Sequence, residues 1–352
     1  MPHALYSQNL HSRSGPAGSP FIFKRVLHSL CAVVAALAFT LPAGAQGLAS
    51  TQTPIRIWGH GHRGQGYIQT LLTAWQNGFR KTHPDVQFDD TLYGNASAIG
   101  SLFTDTGDLA IMDREASFIE RDAFLQGAGY RPFGIPVAQG SVDIVHHARP
   151  LVVYVNQANP LTHLTLQQLD GIFDADHRRG NRTYKTWGDL GLTGDWASKP
   201  IQLKTYAIES AKIQFFERAG LKGSQKFTCC MTLFHDRPGA SAEQQIAAAL
   251  KADRYAMALS VPQPDLKPIA LSSTPAAPPV LATTQSITGG TYPLARTIYI
   301  YCKRKPGSPV PPKVAAFLAY VVSPEGQAIA AHTGGYLPLS PQLAATAKES
   351  LQ

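Results

Sequence analysis

From Pro54 onward, short apolar runs alternate with longer amphipathic ones, and this alternation limits the fold more than any other feature of the chain. Ile55–Trp58 reads as a buried strand. Tyr67–His83 carries Ile68, Leu71, Leu72, Trp75 and Phe79 at helical spacing. Val86–Phe88 reads as a second strand. After the loop Tyr93–Ser97, a short helix over Ala98–Thr104 leads to a third strand at Asp108–Met112. Strands separated by helices pair in parallel and leave both faces of the sheet covered by helix. A second set starts after Pro136. It has strands at Leu151–Asn156, Ile201–Thr205, Tyr255–Ser260 and Thr297–Cys302, and helices at Thr165–Phe173, Ser210–Ala219 and Ala242–Ala252. Thr165 is placed to cap its helix. Pro312–Ser323 and Pro324–His332 read as a kinked helix pair. The six prolines in Pro262–Pro279 predict an extended, poorly packed stretch. No internal repeat is visible in the residues. At 352 residues the chain exceeds what one core holds, so two α/β lobes are expected.

Between the first strand and the first helix lies Gly59-His-Gly-His-Arg-Gly64, which satisfies G-x-G-x-x-G, and Asp89 and Asp90 follow at the next strand. That is the pattern of a dinucleotide loop. Two features argue against that use. Only three strands precede the change of pattern near Pro136, and the N-terminus reads as an export signal. Lys24 and Arg25 precede the apolar run Leu30–Leu41, followed by Pro42-Ala-Gly-Ala45, which predicts cleavage after Ala45. The apolar run is shorter than a membrane span, and Cys31 lacks the preceding small residues that lipid attachment requires. Residues 1–20 form a featureless lead-in that leaves the start codon open. What survives of the loop is its mechanism: glycines at a strand-to-helix turn bring backbone N–H groups up to an anion at the positive end of a helix.

Losing residues 1–45 removes Arg13, Lys24 and Arg25 and no acid, taking the net charge from +8 to +5. This modest basic excess suits anionic partners. No Lys/Arg block marks nucleic-acid binding. Cys229, Cys230 and Cys302 remain, enough for one disulfide and a spare thiol in an oxidising compartment, and no C-x-x-C marks zinc. His146 and His147 are adjacent in a strand-like run and point to opposite faces, a poor chelate. The basic loop His177-Arg-Arg179 with Arg182 and Lys185 reads as a solvated turn. H-E-x-x-H, G-x-S-x-G and G-x-x-x-x-G-K-[ST] are absent from the sequence, no nucleophile–base pair stands out, and no cofactor or metal is called for.

Gly290-Thr-Tyr-Pro-Leu-Ala-Arg296 with Ile298-Tyr-Ile-Tyr301, then Val314–Gln327, then Gly335-Tyr-Leu-Pro-Leu339, resembles the C-terminal region of bacterial periplasmic phosphate-binding proteins. Leu166–Phe173 followed by Trp187-Gly-Asp-Leu190 is similar to that family's helix and loop. The likeness is to the PstS-like branch of ABC-transporter solute receptors. It implies a two-lobed periplasmic-binding-protein fold in which each lobe is a mixed, mostly parallel sheet flanked by helices, with ligand in the cleft between lobes. It also implies a first lobe over 53–138, a second over 139–285, and a C-terminal return to the first lobe over 286–345. The ligand would be phosphate or a related small oxyanion, the partner a membrane permease, and the working form a periplasmic monomer that is not an enzyme.

The resemblance assigns four arms to the ligand. The first is the glycine turn, with Gly61, His62 and Arg63, where Arg63 occupies the family's hydroxyl position; a plain tight turn is the alternative. The second is Gly94–Ser97, with Asn95 or Ser97 as donor, or as mere helix cap. The third is Asp113-Arg114. A carboxylate facing an oxyanion needs a proton between them, so Asp113 would favour protonated phosphate over sulfate; a surface Asp–Arg turn is the alternative. The fourth is Ser210 at the start of a helix, as ligand or as plain N-cap. Here the sequence departs from the family, whose Arg and Asp ahead of that serine are replaced by Thr205 or Tyr206 and by Ile208. A lost bidentate guanidinium removes a strong oxyanion contact. Arg63, Arg114, Lys204 and Lys212 are the candidates to compensate. A PstS-like fold with a degenerate cleft, acting in non-transport binding or adhesion, is the second reading.

Overall fold

The computed structural model describes residues 53–61, 66–144 and 148–352. The export signal read over 1–45, the site candidates His62 and Arg63, and the His146–His147 pair lie outside the described residues. In chain order the elements are β1 Ile55–Gly59, α1 Tyr67–Arg80, β2 Phe88–Thr91, α2 Asn95–Phe103, β3 Leu109–Met112, α3 Phe118–Ala128 and β4 Phe133–Gly140. Next come β5 Val152–Val155, β6 His163–Thr165, α4 Leu166–Phe173, β7 Gln202–Tyr206, α5 Ala211–Ala219, β8 Thr232–Phe234, α6 Ala242–Ala252 and β9 Ala256–Ser260. The remainder is β10 Lys267–Pro268, β11 Ala270–Ser272, α7 Thr284–Thr288, β12 Thr297–Cys302, α8 Pro312–Val321, α9 Pro324–His332, β13 Tyr336–Leu337 and α10 Pro341–Ser350.

Two sheets organise these elements. The first has the order β13-β4-β12-β3-β1-β2 and the second β10-β5-β9-β7-β8, while β6 and β11 form a small parallel pair. Both large sheets are mixed, as expected, but parallel pairing does not dominate either. In the first, β1 pairs in parallel with β2 and β3, and the other three pairings are antiparallel. In the second, β7 pairs in parallel with β8 and β9, and β5 is antiparallel to both of its neighbours. Late strands arriving from other parts of the chain cause this, because strands added from a distance are free to enter in either direction.

The topology contains a repeat that the residues do not reveal. In the first sheet β1-α1-β2-α2-β3 leaves β3 on the far side of β1 from β2, and β12 adds antiparallel beside β3. In the second, β7-α5-β8-α6-β9 leaves β9 on the far side of β7 from β8, and β5 adds antiparallel beside β9. Each sheet therefore has a point where the chain reverses its order of winding. Loops beyond the strand ends diverge there and open a crevice. β12 enters between β3 and β4, so the segment after residue 296 belongs to the first sheet.

Local chemistry explains the boundaries. Trp75 is fully buried and donates from Nε1 to Gly326 O at 2.7 Å, tying α1 to α9. α6 and β12 have the bounds that the patterning predicts, and α8 and α9 meet at 60°. The first half departs further. α3 buries only Phe124, so its apolar stripe is faint; its signal is the Ser117–Glu120 capping box. β4 carries Pro136, which reads as a boundary, yet the strand continues: its pairing with β12 slips by one residue between Ile298 and Tyr299, which leaves Val137 of β4 as the extra, bulged residue beside the proline. The stretch Pro262–Pro279 is extended in part, as expected, but the poor packing expected of it is overturned. The stretch forms β10 and β11 and buries Leu266, Ile269 and Leu271. Its prolines are tolerated because β10 is an edge strand with β5 as its sole neighbour.

Candidate functional site

The first sheet ends in two glycine turns. Gly59 has φ +132°, and a Cβ there would meet Ile111 O at 2.0 Å, so β1 can lie against β3 only with a glycine at this position. Gly94 N donates to Gly59 O at 2.8 Å, and His60 N to Ile111 O at 2.8 Å, which locks the two turns and the end of β3 together. Gly61 has φ +140°, and a Cβ would come within 2.7 Å of Leu92 Cβ. The acidic part of the dinucleotide pattern points elsewhere: Asp90 lies in β2 and accepts from Gln76 at 2.8 and 2.9 Å and from Gln69 at 3.3 Å, both on α1.

Asp113, just past β3, is the centre of a polar cluster with Asn95 and His60. Its Oδ1 accepts from Asn95 Nδ2 at 2.6 Å, its N–H donates to Asn95 Oδ1 at 3.3 Å, and Oδ2 is 3.9 Å from His60 Nε2. Burial by itself would raise this carboxyl. His60, Arg296, the Asn95 amide and Arg114 more than offset that and hold it below the usual carboxylate range. α2 begins at Asn95, earlier than the patterning predicts, and Gly94 rather than Asn95 is the N-cap. The Asn95 side chain is thus committed to Asp113, whereas Ser97 Oγ donates back to Gly94 O at 2.9 Å.

Arg114 turns away from Asp113. Its guanidinium makes a two-pronged contact with Glu120 at 2.6 and 2.8 Å and donates to Glu115 O at 3.0 Å. Together with Glu115, Arg218 and Arg296 it lines a neighbouring cavity of about 410 Å³. There Arg218 of α5 pairs with Glu115, which also accepts from Tyr299 at 3.0 Å, linking the second sheet's helix to the first lobe.

The cleft beyond the strand ends has a volume of about 670 Å³, and its lining includes Asn95, Asp113, Arg149, Lys212, Glu243 and Arg296. Arg296 is 6% exposed; its Nη2 donates to Asp113 O at 3.4 Å and its Nε has no hydrogen-bond partner among the described residues. Burial pulls this guanidinium down from its usual value, and the Asp113 carboxylate partly opposes that. A buried donor with no acceptor costs about 1–3 kcal/mol.

On the second lobe, Ser210 caps α5 by accepting from Ile213 N at 3.3 Å. Lys212, two residues on, pairs with Glu243 of α6 at 3.0 Å and lies 4.6 Å above the Tyr206 ring. Thr205 and Tyr206, the two positions at which the resemblance expects an arginine, are both buried; the Tyr206 hydroxyl contacts Ser260 Oγ at 2.9 Å and accepts from Val261 N at 3.0 Å. Its role is to close the end of β9. Asp236 accepts from Ala242 N at 2.8 Å and braces the start of α6. Lys204 is directed elsewhere, 3.5 Å from Asp253.

Of the predicted site residues, Asn95, Asp113 and the Gly61 turn come together. Ser97 and Ser210 spend their hydroxyls on their own helices, and Arg114 faces the adjoining cavity. Sequence reasoning left Arg149, Glu243 and Arg296 out of the site. Arg296 had a signal, since it ends the Gly290–Arg296 motif, but its burial beside Asp113 depends on β12 entering next to β3. The described residues contain no group of three or more His, Cys, Asp or Glu side chains able to hold a metal ion.

A family model described as a PBP superfamily domain matches residues 49–325. The phosphate-binding protein PstS of Pseudomonas aeruginosa, from each of two strains, is 34% identical over 291 residues, covering 82% of this chain and 85% of the relative. Among solved structures, PstS from Borrelia burgdorferi superposes with a TM-score of 0.52 at 14% identity, over 82% of this chain and all of the other. That structural likeness bears on the fold, and the sequence identity with the domain match bears on descent. The chain belongs to the PBP superfamily, in the branch of the PstS phosphate-binding proteins.

Proposed function

We propose that this protein is an exported solute receptor that binds phosphate or a closely related oxyanion between its lobes and delivers it to an ABC-type membrane permease. The observation that carries the reading is the Arg296–Asp113–Asn95 group, a buried guanidinium with an uncommitted Nε beside a carboxylate that is oriented by an amide. The glycine turn at Gly59–Gly61 and the start of α2 supply backbone N–H groups next to it. His62 and Arg63 remain site candidates on the same turn. Lys212 and Arg149 bring positive charge from the second lobe, with Ser210 as a cap that positions α5. Lobe one is built on the first sheet and lobe two on the second, and the protein acts as a periplasmic monomer without catalysis. The 34% identity to PstS, a binding protein, supports this reading.

Titration calorimetry with phosphate, arsenate, sulfate and small carboxylates tests it. A 1:1 complex with phosphate or arsenate is expected, with sulfate much weaker; no heat and no thermal shift with any of them would end the proposal. The buried Tyr206 and the Lys212–Glu243 pair favour one alternative, a receptor fold whose cleft has lost its ligand and serves another binding role. A blank ligand screen, with Asp113→Ala leaving all behaviour unchanged, would favour it.

A further inference from the structure

The three cysteines of the described residues occupy two different settings. Cys302 is fully buried in β12, and burial pushes its thiol up to about 12. Cys229 and Cys230 are exposed in the loop between α5 and β8, with their sulfurs 3.1 Å apart and the Cys230 thiol donating to Cys229. Cys230 has φ +71°, a left-handed conformation that a non-glycine residue keeps only where its surroundings impose it. The surroundings are visible on both sides. Thr228 N donates to Phe173 O at 2.8 Å and Phe227 bridges to Asp174, while Thr232 pairs with Lys204 of β7. The two sulfurs are therefore held against each other by a loop anchored at both ends.

We propose that Cys229 and Cys230 form a vicinal dithiol site that closes into an intramolecular disulfide when it meets a small-molecule or protein disulfide. The step is ordinary thiol–disulfide exchange. The Cys229 thiolate, whose sulfur is the acceptor of the Cys230 thiol, attacks one sulfur of glutathione disulfide. That S–S bond breaks and one glutathione thiolate leaves. The Cys230 thiolate then attacks the Cys229 sulfur of the mixed disulfide and expels the second glutathione thiolate. Two electrons pass from the protein to the glutathione, and the two cysteine protons end on the two departing thiols. Proximity makes the second step unimolecular and fast relative to the first. In an oxidising compartment the ring would persist, leaving Cys302 as the spare thiol.

The experiment incubates the reduced full chain with glutathione disulfide, quenches with an alkylating agent, and reads intact mass and peptides. The expected product is a monomer lighter by two hydrogens, bridged between Cys229 and Cys230, with Cys302 alkylated only after unfolding. Cys302→Ser gives the same product. Cys230→Ser retains glutathione on Cys229 and sheds it at least about tenfold more slowly than the wild type. A wild-type product that stops at bound glutathione, links two chains, or uses Cys302 overturns the proposal.

Discussion

The two lobes share one winding scheme and use it differently. In the first, side chains beyond the strand ends converge on a single group: Asn95 holds Asp113, and Arg296 arrives from a distant strand to lie against it. In the second, the equivalent positions are satisfied within the lobe. Ser210 caps α5, Tyr206 closes β9, and Lys212 is neutralised by Glu243. One lobe presents a buried donor in need of an acceptor; the other presents a charge that already has one. Identical topology therefore fixes where a crevice opens and leaves its chemistry to a few side chains.

From that asymmetry the largest effect is expected at Arg296. Arg296→Ala is expected to weaken phosphate binding about a hundredfold or more in calorimetry, since truncating one member of a buried charge pair costs roughly 2–5 kcal/mol. Arg296→Lys, which keeps the charge and loses the planar fork, should recover only part of it. Circular dichroism and a melting curve separate this from unfolding. Lys212→Ala should cost less, about tenfold or roughly 1.4 kcal/mol, because the lysine must first leave Glu243. Adding Glu243→Gln to it should restore part of the loss by removing the carboxylate left unpaired. Equal losses for Arg296→Ala and Lys212→Ala would break the comparison.

The smallest effect concerns the frames that hold the two sites. Asp108, beside β3, accepts from Arg56 of β1 at 3.0 Å and from Lys313 of α8 at 2.6 Å. Burial would raise its carboxyl, but the hydrogen bonds from Arg56 and Lys313 and their charges outweigh that and hold it at about 2, against a usual 3.8. A carboxyl depressed in the folded state adds stability that is full above its unfolded value and vanishes as pH falls through the folded one. The contribution should thus be complete above about pH 5 and gone near pH 1. Asp108→Asn should lower Tm by about 4 °C or less near neutrality and converge with the wild type in acid. In the second lobe Lys204 reaches Asp253 at a longer 3.5 Å, so Asp253→Asn should shift Tm less.

Legibility followed the same division. Helices with a strong apolar stripe, such as α1 and α6, and strands of unbroken apolar residues, such as β12, are visible because one face or both must be buried. α3 and β4 are faint: the first buries one residue and the second contains a proline beside a bulge that shows only in its pairing with β12. The family resemblance singles out Asp113 and Asn95, and the structure sets the two against each other. The same resemblance singles out Ser97, Ser210 and Arg114; Ser97 donates back to the carbonyl of Gly94, Ser210 caps its own helix and Arg114 grips Glu120. A hydroxyl or guanidinium in a sequence does not say which acceptor it will reach.

The residue order by itself determined the alternation of strand and helix, the glycine turn where β1 meets α1, and membership in a binding-protein family. These rest on local periodicity, on the absence of a side chain at particular positions, and on motifs. Only the tertiary structure decided that β12 lies between β3 and β4 and so brings Arg296 to Asp113 across 183 positions of chain. The same is true of Lys212, which spends its charge on Glu243 of α6. Burial and pairing are properties of neighbours in space, and no spacing rule along the chain encodes them.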